Sequence, residues 1–271
     1  MISVLMRSHN DIAWVRQTVE MLLTQVVDDS VEIIVCDDHS SDGTAEYLAS
    51  QPNVLSIVPP EGRYIPGKTL NYMVSMAKGD IIVFNNADAI PQNKEYLQHL
   101  TAPLKDKSID CTFGNQIARP DAFGVVRKDY EKAFGDGSIS KKWDRFFSLV
   151  SSAFRKEDLI LKPFNDKMQY SEDSEWVNRN KANICYVADA IVEHSHNYTL
   201  AEVRTRFFNE GAADAQIGKN PVSFVHAVVS VFAETLRDYI YLIKRGKVLE
   251  LHYPLIYRLV QKISYYRGRK Q

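Results

Sequence analysis

The chain is most informative between positions 68 and 91, where it reads Lys68-Thr-Leu-Asn-Tyr-Met-Val-Ser-Met-Ala-Lys-Gly-Asp-Ile-Ile-Val-Phe-Asn-Asn-Ala-Asp-Ala-Ile-Pro91. The pattern predicts an amphipathic helix, a Gly-Asp turn and an apolar strand, with Asp88 at the carboxyl end of that strand. Open α/β sheets bind their ligands at this end. A carboxylate there suits a divalent cation held against phosphate oxygens, because Mg²⁺ and Mn²⁺ prefer oxygen ligands. The alternative is an ordinary turn or capping aspartate before Pro91.

The preceding part of the chain shows the same alternation of strand and helix. Short β-branched or apolar runs predict further strands, and helical patterns separate them. This order is typical of an α/β fold with a mostly parallel sheet covered on both faces. We therefore interpret residues 1–110 as a Rossmann-like nucleotide half. The predicted strands are 2–6, 32–36, 55–58 and 81–84, and the predicted helices are 12–24, 43–50 and 68–76.

The alternation weakens after residue 110. Residues 111–145 are rich in Gly, Asp and Lys, which predicts functional loops over a scaffold. Further strands are expected at 149–155 and 184–192, with a helix at 173–180 between them. These elements give a second, mixed half. We expect this half to cover residues 111–215, so that residues 1–215 form one domain.

Residues 216–271 are expected to form an apolar and basic helical tail. Residues 222–243 are apolar at helical intervals, but their uncharged part, 221–233, has only 13 residues. A helix needs about 20 such residues to cross a bilayer. This segment is therefore predicted to lie on a membrane or to pack on a partner.

The charge of the tail differs from that of the rest of the chain. Residues 244–271 carry a net charge of +7, including Arg258 and Lys262, whereas residues 1–243 carry −8. A basic helix with an apolar stripe suits the surface of an anionic membrane. The alternative is a homodimer interface whose basic end is solvated. The acidic body and the lack of a recognition motif exclude a nucleic-acid partner.

Composition places the chain among ordinary globular proteins. It is 45% hydrophobic and 25% charged over 271 residues, enough to bury a full core. The three cysteines, Cys36, Cys111 and Cys185, lie in apolar runs and predict neither a disulfide framework nor a zinc site. No signal-peptide pattern precedes the first predicted strand. We expect a cytoplasmic protein, peripheral on the inner face of the plasma membrane.

A second acidic motif follows the second predicted strand, and it reads Asp37-Asp-His-Ser-Ser-Asp-Gly-Thr44. Two carboxylates at a strand end, followed by Ser, Asp and Gly, form a turn that caps the next helix. Asp38 is expected to accept a hydrogen bond from a pyrimidine N–H or a ribose hydroxyl. The alternative is that the whole motif serves turn formation and capping.

Six polar blocks recur along the chain at strand and helix ends. They are Met6-Arg-Ser-His-Asn10, 37–44, 67–71 with 77–80, Asn86-Ala-Asp88 with Pro91, Ser171-Glu-Asp-Ser-Glu-Trp176, and His194-Ser-His-Asn-Tyr-Thr199. Taken in order, these blocks resemble the motifs of family-2, inverting GT-A glycosyltransferases over roughly residues 1–215. The segments at 114–116, Arg119-Pro-Asp121 and 194–198 most resemble the bacterial rhamnosyltransferase-like branch that builds surface polysaccharides.

The resemblance implies a nucleotide-diphosphate sugar as donor, bound with Mn²⁺ or Mg²⁺. It makes residues 1–110 the nucleotide-sugar half and residues 111–215 the half that holds the acceptor and the catalytic group. Asp88 would hold the metal and diphosphate with the help of His194 or His196. The sequence departs from the usual Asp-x-Asp motif at its first acid, which is Asn86 here, and a neutral amide ligates more weakly. The donor would also contact Arg7, Ser8, Asn10, Asp38 and Lys68, although a solvated loop charge is the alternative for Lys68.

The resemblance also places the catalytic base at Asp173, in the motif that ends at Trp176. Inverting transfer is a single in-line displacement, so one carboxylate must lie within about 3 Å of the attacking hydroxyl. Glu172 and Glu175 are the local rivals, and acids in the first turn of an ordinary helix are the alternative. The acceptor would meet Glu172, Trp176, Arg119 and Asp121, unless Trp176 is a core residue.

The predicted function is therefore metal-assisted transfer of a sugar, rhamnose by analogy, to a saccharide or lipid-linked acceptor in bacterial surface polysaccharide synthesis. One alternative is a nucleotidyltransferase, but that enzyme would need a Gly-rich, basic loop after the first strand, which residues 7–10 do not supply. The other is a non-catalytic scaffold that binds nucleotide sugars, in which Asn86 would mark lost metal affinity.

Overall fold

The computed structural model describes residues 1–271 and contains one mixed sheet of eight strands, in the order β3-β2-β1-β4-β7-β6-β8-β5. The strands are β1 (Ile2–Ser8), β2 (Val31–Asp37), β3 (Val54–Ile57), β4 (Ile81–Asn85), β5 (Ile90–Pro91), β6 (Cys111–Ile117), β7 (Ser151–Arg155) and β8 (Ile184–Glu193). The helices are α1 (Ile12–Leu23), α2 (Thr44–Ala49), α3 (Pro66–Met76), α4 (Tyr96–Thr101), α5 (Gly124–Ala133), α6 (Lys156–Leu161), α7 (Glu172–Arg179), α8 (Leu200–Gln216), α9 (Phe224–Lys244) and α10 (Pro254–Gly268).

The chain divides into two compact units, and the first contains the whole sheet. Unit 1 comprises residues 1–117 and 133–194. β1 pairs in parallel with β2 and β4, β7 runs antiparallel between β4 and β6, and β8 is parallel to β6. The carboxyl ends of β1, β2, β4, β6 and β8 therefore lie along one edge of the sheet. This confirms the predicted α/β sheet and brings the polar motifs that follow these strands to the same edge.

The core of unit 1 explains why the first strands are continuous apolar runs. Val4, Val35 and Val83 are fully buried on adjacent strands. A sheet covered on both faces needs such runs, because neither face of its strands meets water. The apolar faces of α1 and α4 supply buried residues to the same core, including Val15 and Leu97.

The expectation of loops through residues 111–145 was wrong over much of its length. β6 and the whole of α5 lie in this stretch, and β6 contributes four buried residues in succession from Cys111 to Gly114. Gly114 interrupts the apolar pattern of β6, so the sequence pattern does not identify this strand. A Cβ at that position would lie 2.4 Å from the carbonyl oxygen of Ala190, so the close approach of β8 requires glycine. The β6–β8 register shifts between Gly114 and Asn115.

Unit 2 comprises residues 118–132 and 195–271 and is helical. In it α8 and α10 cross closely at two glycines. A Cβ on Gly211 would lie 2.2 Å from the carbonyl oxygen of Tyr265, and one on Gly268 would lie 2.0 Å from that of Phe208. The predicted division into residues 1–215 and 216–271 differs from this grouping and stays a prediction.

The predicted basic face of the C-terminal helix needs one correction. Arg258 is only 2% exposed, and its guanidinium donates to the carboxylates of Asp238 at 2.7 Å and Asp129 at 2.8 Å. It therefore belongs to the interior of unit 2 and not to a lipid-facing surface. None of the helices is both long enough and apolar enough to traverse a bilayer.

Candidate active site

Asp88 and His194 meet because a short strand pairing brings their chain segments together. β5 begins two residues after Asp88, and His194 directly follows the end of β8. β5 and β8 pair antiparallel, with Ile90 opposite Glu193. As a result Oδ2 of Asp88 lies 3.5 Å from Nε2 of His194. The two side chains are 8% and 7% exposed.

The orientation of the His194 ring is fixed from its other nitrogen. Nδ1 lies 3.1 Å from Oε1 of Gln116, whose own amide donates to the hydroxyl of Ser148 at 2.8 Å. A carbonyl-type acceptor on Nδ1 favours the tautomer with its proton there, which turns the Nε2 lone pair toward Asp88. This is the arrangement in which a histidine serves as a metal ligand with an outer hydrogen-bond partner.

The loop that carries Asp88 is shaped by Asn85, which is 1% exposed. Its side-chain amide donates to the carbonyl oxygens of Asn86 and Ala89, at 2.9 and 2.8 Å, and the hydroxyl of Tyr96 donates to its oxygen at 2.8 Å. The Asn86 backbone N–H donates to the carbonyl of Val150. Asn85 therefore holds the turn in which Asn86 and Asp88 lie.

The chemistry of Asp88 and His194 fits a divalent cation. A carboxylate oxygen and an imidazole nitrogen are ligands that Mn²⁺ and related metals accept. Two ligands that are each about 2.1 Å from one ion lie roughly 3 to 4 Å apart, and the observed separation falls in that range. His196 lies two residues further along the chain, in unit 2, and its role as a ligand stays a prediction.

The acidic turn after β2 separates its carboxylates into two kinds. Asp37 accepts hydrogen bonds from the hydroxyl and backbone N–H of Ser40, and Asp42 accepts from Thr44 and from the N–H of Ile12. The hydrogen bonds of the Thr44 hydroxyl and the Ile12 N–H lower the pKa of Asp42. Asp38 is held through its backbone, since its N–H donates to the carbonyl of Ser8. The turn itself thus engages Asp37 and Asp42, and the side chain of Asp38 is half-buried at the strand end.

The residues predicted after β1 have different surroundings. The hydroxyl of Ser8, 3% exposed, has no hydrogen-bond partner, which suits a group that meets a ligand. Asn10 links the two loops at this edge, because its side-chain oxygen accepts from the N–H of Ser41 and its own N–H donates to the hydroxyl of Ser40. Lys68 is exposed and donates to the carbonyl of Glu61. Donor contacts by these residues stay predictions.

Asp173 lies in an environment that suits a proton acceptor. Burial raises the pKa of Asp173 to about 6, and the neighbouring carboxylate of Glu172 adds to the rise. Glu172 is 7% exposed and forms an ion pair with Arg7, at 3.0 Å, so its effect on Asp173 is partly offset by the arginine. Oδ2 of Asp173 accepts from the backbone N–H of Leu149 at 3.3 Å, which fixes the carboxylate.

Backbone contacts place Asp173 at the same sheet edge as Asp88. Leu149, which donates to Asp173, precedes Val150, which accepts from Asn86. The first residue of α7, Glu172, forms an ion pair with Arg7 of β1. The sheet therefore gathers segments that are distant in sequence along one edge of unit 1.

Trp176 is a core residue in the structure. It is 1% exposed, packs edge-on against Phe154 with ring centroids 5.1 Å apart, and donates its indole N–H to the carbonyl of Lys162 at 2.5 Å. These contacts favour the core interpretation over an acceptor platform, because a buried ring offers no face to a sugar. The packing instead anchors α7, the helix that carries Asp173.

The remaining acceptor candidates, Arg119 and Asp121, lie in unit 2. Arg119 is 5% exposed and donates to the carbonyl of Ser195 at 2.5 Å, while Asp121 is exposed and accepts from Asn197 through its backbone carbonyl. Their contacts join segments 118–132 and 195–271 of that unit. An acceptor role for either residue stays a prediction.

Two residues of the site were missing from the predicted set. Asn85 holds the loop that carries Asp88, and Gln116 holds the ring of His194. Asn85 could have been found as the polar end of an apolar strand. Gln116 was hidden because the strand that carries it was interpreted as loop.

The sheet order and the acidic strand ends define the class of the protein, which has the GT-A fold of glycosyltransferases. The family model described as glycosyl transferase family 2 matches residues 3–162. Because the match covers more than half of the chain, the chain belongs to glycosyl transferase family 2. This confirms the family to which the motifs were assigned.

Two relatives support the branch that the motifs resemble. The chain is 25% identical over 197 residues to O-antigen chain rhamnosyltransferase WbaN of Salmonella anatum, covering 68% of this chain and 62% of that protein. It is 28% identical over 199 residues to O-antigen chain rhamnosyltransferase RfbN of Salmonella typhimurium, covering 68% and 63%. The matched part spans less than two thirds of the length of these curated relatives.

Solved structures share the fold at lower identity. Mannosyltransferase PcManGT from Pyrobaculum calidifontis, in complex with GDP-Man and Mn²⁺, superposes with a TM-score of 0.67 at 17% identity, covering 98% of this chain and 85% of that chain. Glucosyl-3-phosphoglycerate synthase from Mycobacterium tuberculosis, in complex with Mn²⁺, UDP and phosphoglyceric acid, gives a TM-score of 0.57 at 20% identity, covering 81% and 79%. Likeness at this level shows the fold alone.

Proposed function

We propose that this protein is an inverting, metal-assisted glycosyltransferase that moves a sugar from a nucleotide-diphosphate donor to a saccharide or lipid-linked acceptor. The observation that carries the proposal is the position of Asp173. Its half-buried carboxylate has a pKa raised to about 6, and it lies along the same sheet edge as the Asp88–His194 pair. A base and a candidate metal site at the ligand-binding edge of an α/β sheet are the groups that this transfer needs.

In the proposed reaction the acceptor hydroxyl loses its proton to the carboxylate of Asp173. The acceptor oxygen forms a bond to the anomeric carbon while the bond from that carbon to the diphosphate oxygen breaks. With a pKa near 6, Asp173 is mostly ionised at neutral pH and is still basic enough to accept the proton. Arg7 contributes by neutralising Glu172, which would otherwise raise the pKa of Asp173 further.

The diphosphate leaving group would be bound on the other side of the site. Asp88 and His194 would hold the cation, with Gln116 fixing the His194 ring. A bound Mn²⁺ or Mg²⁺ supplies Lewis-acid stabilisation of the charge that develops on the diphosphate. Asp38 and the hydroxyl of Ser8 would meet the nucleoside part of the donor.

The names of the two Salmonella relatives point to a rhamnose donor and to bacterial surface polysaccharide synthesis. We extend both to this chain as part of the proposal, and we place the reaction in the cytoplasm at the inner face of the plasma membrane.

The test is transfer or donor hydrolysis with a panel of nucleotide sugars, in the presence of Mn²⁺, Mg²⁺ or EDTA. Wild-type protein should release nucleoside diphosphate only with a divalent cation. Asp173→Asn should lower kcat by about 10²- to 10⁴-fold, because the amide cannot accept the proton. Asp166→Asn, an exposed aspartate in the loop before α7, is the matched control and should keep full activity.

Two results would contradict the proposal. Binding of a nucleotide sugar without turnover, and without sensitivity to Asp173→Asn, would indicate a non-catalytic scaffold. Release of inorganic pyrophosphate from a nucleoside triphosphate would indicate a nucleotidyltransferase.

A further inference from the structure

Helix α9 of unit 2 has its polar side inside and its apolar side outside. Glu234 and Asp238 are 8% and 0% exposed, and Thr235 between them is 5% exposed. The opposite side of the helix carries six apolar residues that are each 46% to 70% exposed, and we call them the outer face of α9. They are Val225, Val229, Phe232, Leu236, Ile240 and Ile243.

The buried acids explain this orientation. Glu234 forms ion pairs with Lys128 and Lys132, at 3.2 Å each, and Asp238 pairs with Lys128 and Arg258. These contacts join α9 to α5 and α10 within unit 2. Because the polar side of α9 binds the rest of the unit, its apolar side is left without a place in the core.

The residues of the outer face form a continuous apolar surface, unlike hydrophobic residues that are exposed singly. They recur at helical intervals over the length of α9, and Val248 and Leu249, which are 56% and 88% exposed, follow them in the sequence. Large apolar surfaces of this kind mark interaction sites. The partner must therefore offer an extended apolar region.

The exposed charges of the same segment have one sign. Residues 224–271 contain three acids, of which Glu234 and Asp238 are buried and Glu250 is half-buried and paired with Lys247. The exposed charged residues of that segment are Arg237, Lys244, Arg245, Arg267 and Lys270. Arg237 and Arg245 form ion pairs with Glu234 and Glu131, so Lys244, Arg267 and Lys270 carry most of the argument from charge. A partner that is apolar inside and anionic at its surface complements both features.

We propose that the outer face of α9 binds the surface of an anionic phospholipid bilayer, with the helix lying in the interface. Apolar side chains would enter the acyl boundary, and the basic residues would meet lipid phosphates. A second copy of the chain fits less well, since a symmetric dimer places the same basic surface against itself. The sequence predicted that residues 222–243 lie on a membrane or pack on a partner, and the exposed outer face of α9 favours the first alternative, whereas Arg258 on α10 is buried and takes no part in it.

The outer face of α9 would be the surface through which the protein contacts the membrane, and only the choice of the plasma membrane rests on the proposed function. Lipid binding is measured without donor or acceptor. Sugar transfer without vesicle binding would therefore overturn this inference alone. Vesicle binding without transferase activity would overturn the proposed function alone.

The experiment is co-sedimentation of the full chain with vesicles of phosphatidylcholine, with or without phosphatidylglycerol. Wild-type protein should sediment with the anionic vesicles, and much less with the neutral ones. Phe232→Asp with Leu236→Asp should weaken binding by about tenfold or more, because two side chains lose their transfer into the acyl region. Lys244→Gln should weaken it by about fivefold, and added salt should do the same.

The matched control is Ile160→Asp with Leu161→Asp on α6 of unit 1. These residues are 63% and 77% exposed, so the control makes the same chemical change at another apolar site. It should bind vesicles as the wild type does. Circular dichroism melting should be similar for both double variants, since all four side chains are exposed.

Several outcomes would overturn the inference. Wild-type protein could remain in the supernatant with both kinds of vesicle, or bind both equally. The two double variants could lose binding to the same extent. A dimer in solution that Phe232→Asp with Leu236→Asp dissociates, without vesicle binding, would identify a second copy as the partner.

Discussion

The two units of this chain place charge in opposite ways. Unit 1 buries apolar strands and carries its acids and its candidate metal ligands at the ends of those strands. Unit 2 buries a network of ion pairs around Asp238 and exposes the apolar outer face of α9. Charge in unit 1 is thus available for chemistry, whereas charge in unit 2 holds helices together. Composition alone does not separate these uses, because both units contain many charged residues.

The largest difference should appear when a buried arginine is removed from each unit. Arg258→Ala removes the cation that pairs with Asp129 and leaves the buried Asp238 paired with Lys128 alone, and we expect the free energy of unfolding to fall by about 3–5 kcal/mol. Arg155→Ala in unit 1 removes a side chain that donates to the carbonyls of Leu104 and Ile109 and to Asp158.

Because two of these partners are uncharged, we expect Arg155→Ala to cost about 1–3 kcal/mol. Urea denaturation followed by circular dichroism measures both losses. Equal losses would mean that the ion-pair network of unit 2 contributes no more to stability than the hydrogen bonds of Arg155 in unit 1.

The next effect concerns the candidate metal ligand His194 in unit 1. Gln116→Leu removes the acceptor for Nδ1 of His194, so Mn²⁺ affinity should fall by about 10- to 100-fold. Gln116→Glu keeps an acceptor and should restore most of the affinity. Gln17→Leu, on the exposed side of α1, is the control and should have no effect.

Isothermal titration with Mn²⁺, or the paramagnetic resonance of free Mn²⁺, measures these affinities without a donor. Unchanged binding in Gln116→Leu would indicate that His194 is not a metal ligand.

A smaller effect should follow from the pKa of Asp173. A base must be ionised, and its pKa is raised to about 6, so kcat/KM should rise with pH and level off above about pH 6. At one pH unit below that value the rate should be about tenfold lower. A profile that stays flat down to pH 4.5 would show that another group accepts the proton.

The smallest effect concerns one acid of the ion-pair network. Burial alone would raise the pKa of Glu234, but Lys132 and Lys128 outweigh it and lower the pKa to about 2. Its stabilisation is therefore present above the ordinary value near 4.5 and is lost as the pH falls toward 2.

Glu234→Gln should accordingly cost about 1 kcal/mol at pH 7, with the difference from wild type shrinking below pH 4.5. Glu157→Gln, which breaks an exposed pair with Lys107 in unit 1, should change little at any pH. Thermal melting across this pH range compares the two variants.

The sequence predicted unit 1 better than unit 2, and the reason is local. Strands such as β1 and β4 are continuous apolar runs, and helices α1 and α3 have regular apolar spacing, so their patterns identify them. β6 was missed because Gly114 and Asn115 interrupt its pattern, although the close contact with Ala190 requires the glycine. Local pattern does not report such a long-range contact.

Those residues of the candidate site whose type and motif indicate a chemical role could be predicted from the sequence. Asp88, Asp173 and His194 stand at strand or helix ends in polar motifs, and the sheet brings their segments to one edge. The supporting residues Asn85 and Gln116 could not be assigned, because their partners depend on the β5–β8 pairing and on β6. In unit 2, Arg258 was taken for a surface charge because its acids are distant in sequence.

The Arg258 network also has a practical consequence for dissecting the molecule. One guanidinium links α10 to Asp238 on α9 and to Asp129, which precedes both helices by about a hundred residues in the sequence. A version shortened at residue 215 would strip that aspartate of its counter-ion, together with the partners of Lys128. Deletion mapping would then report misfolding as though it were lost lipid binding or lost catalysis, so single substitutions are the sounder way to assign roles to the helical region.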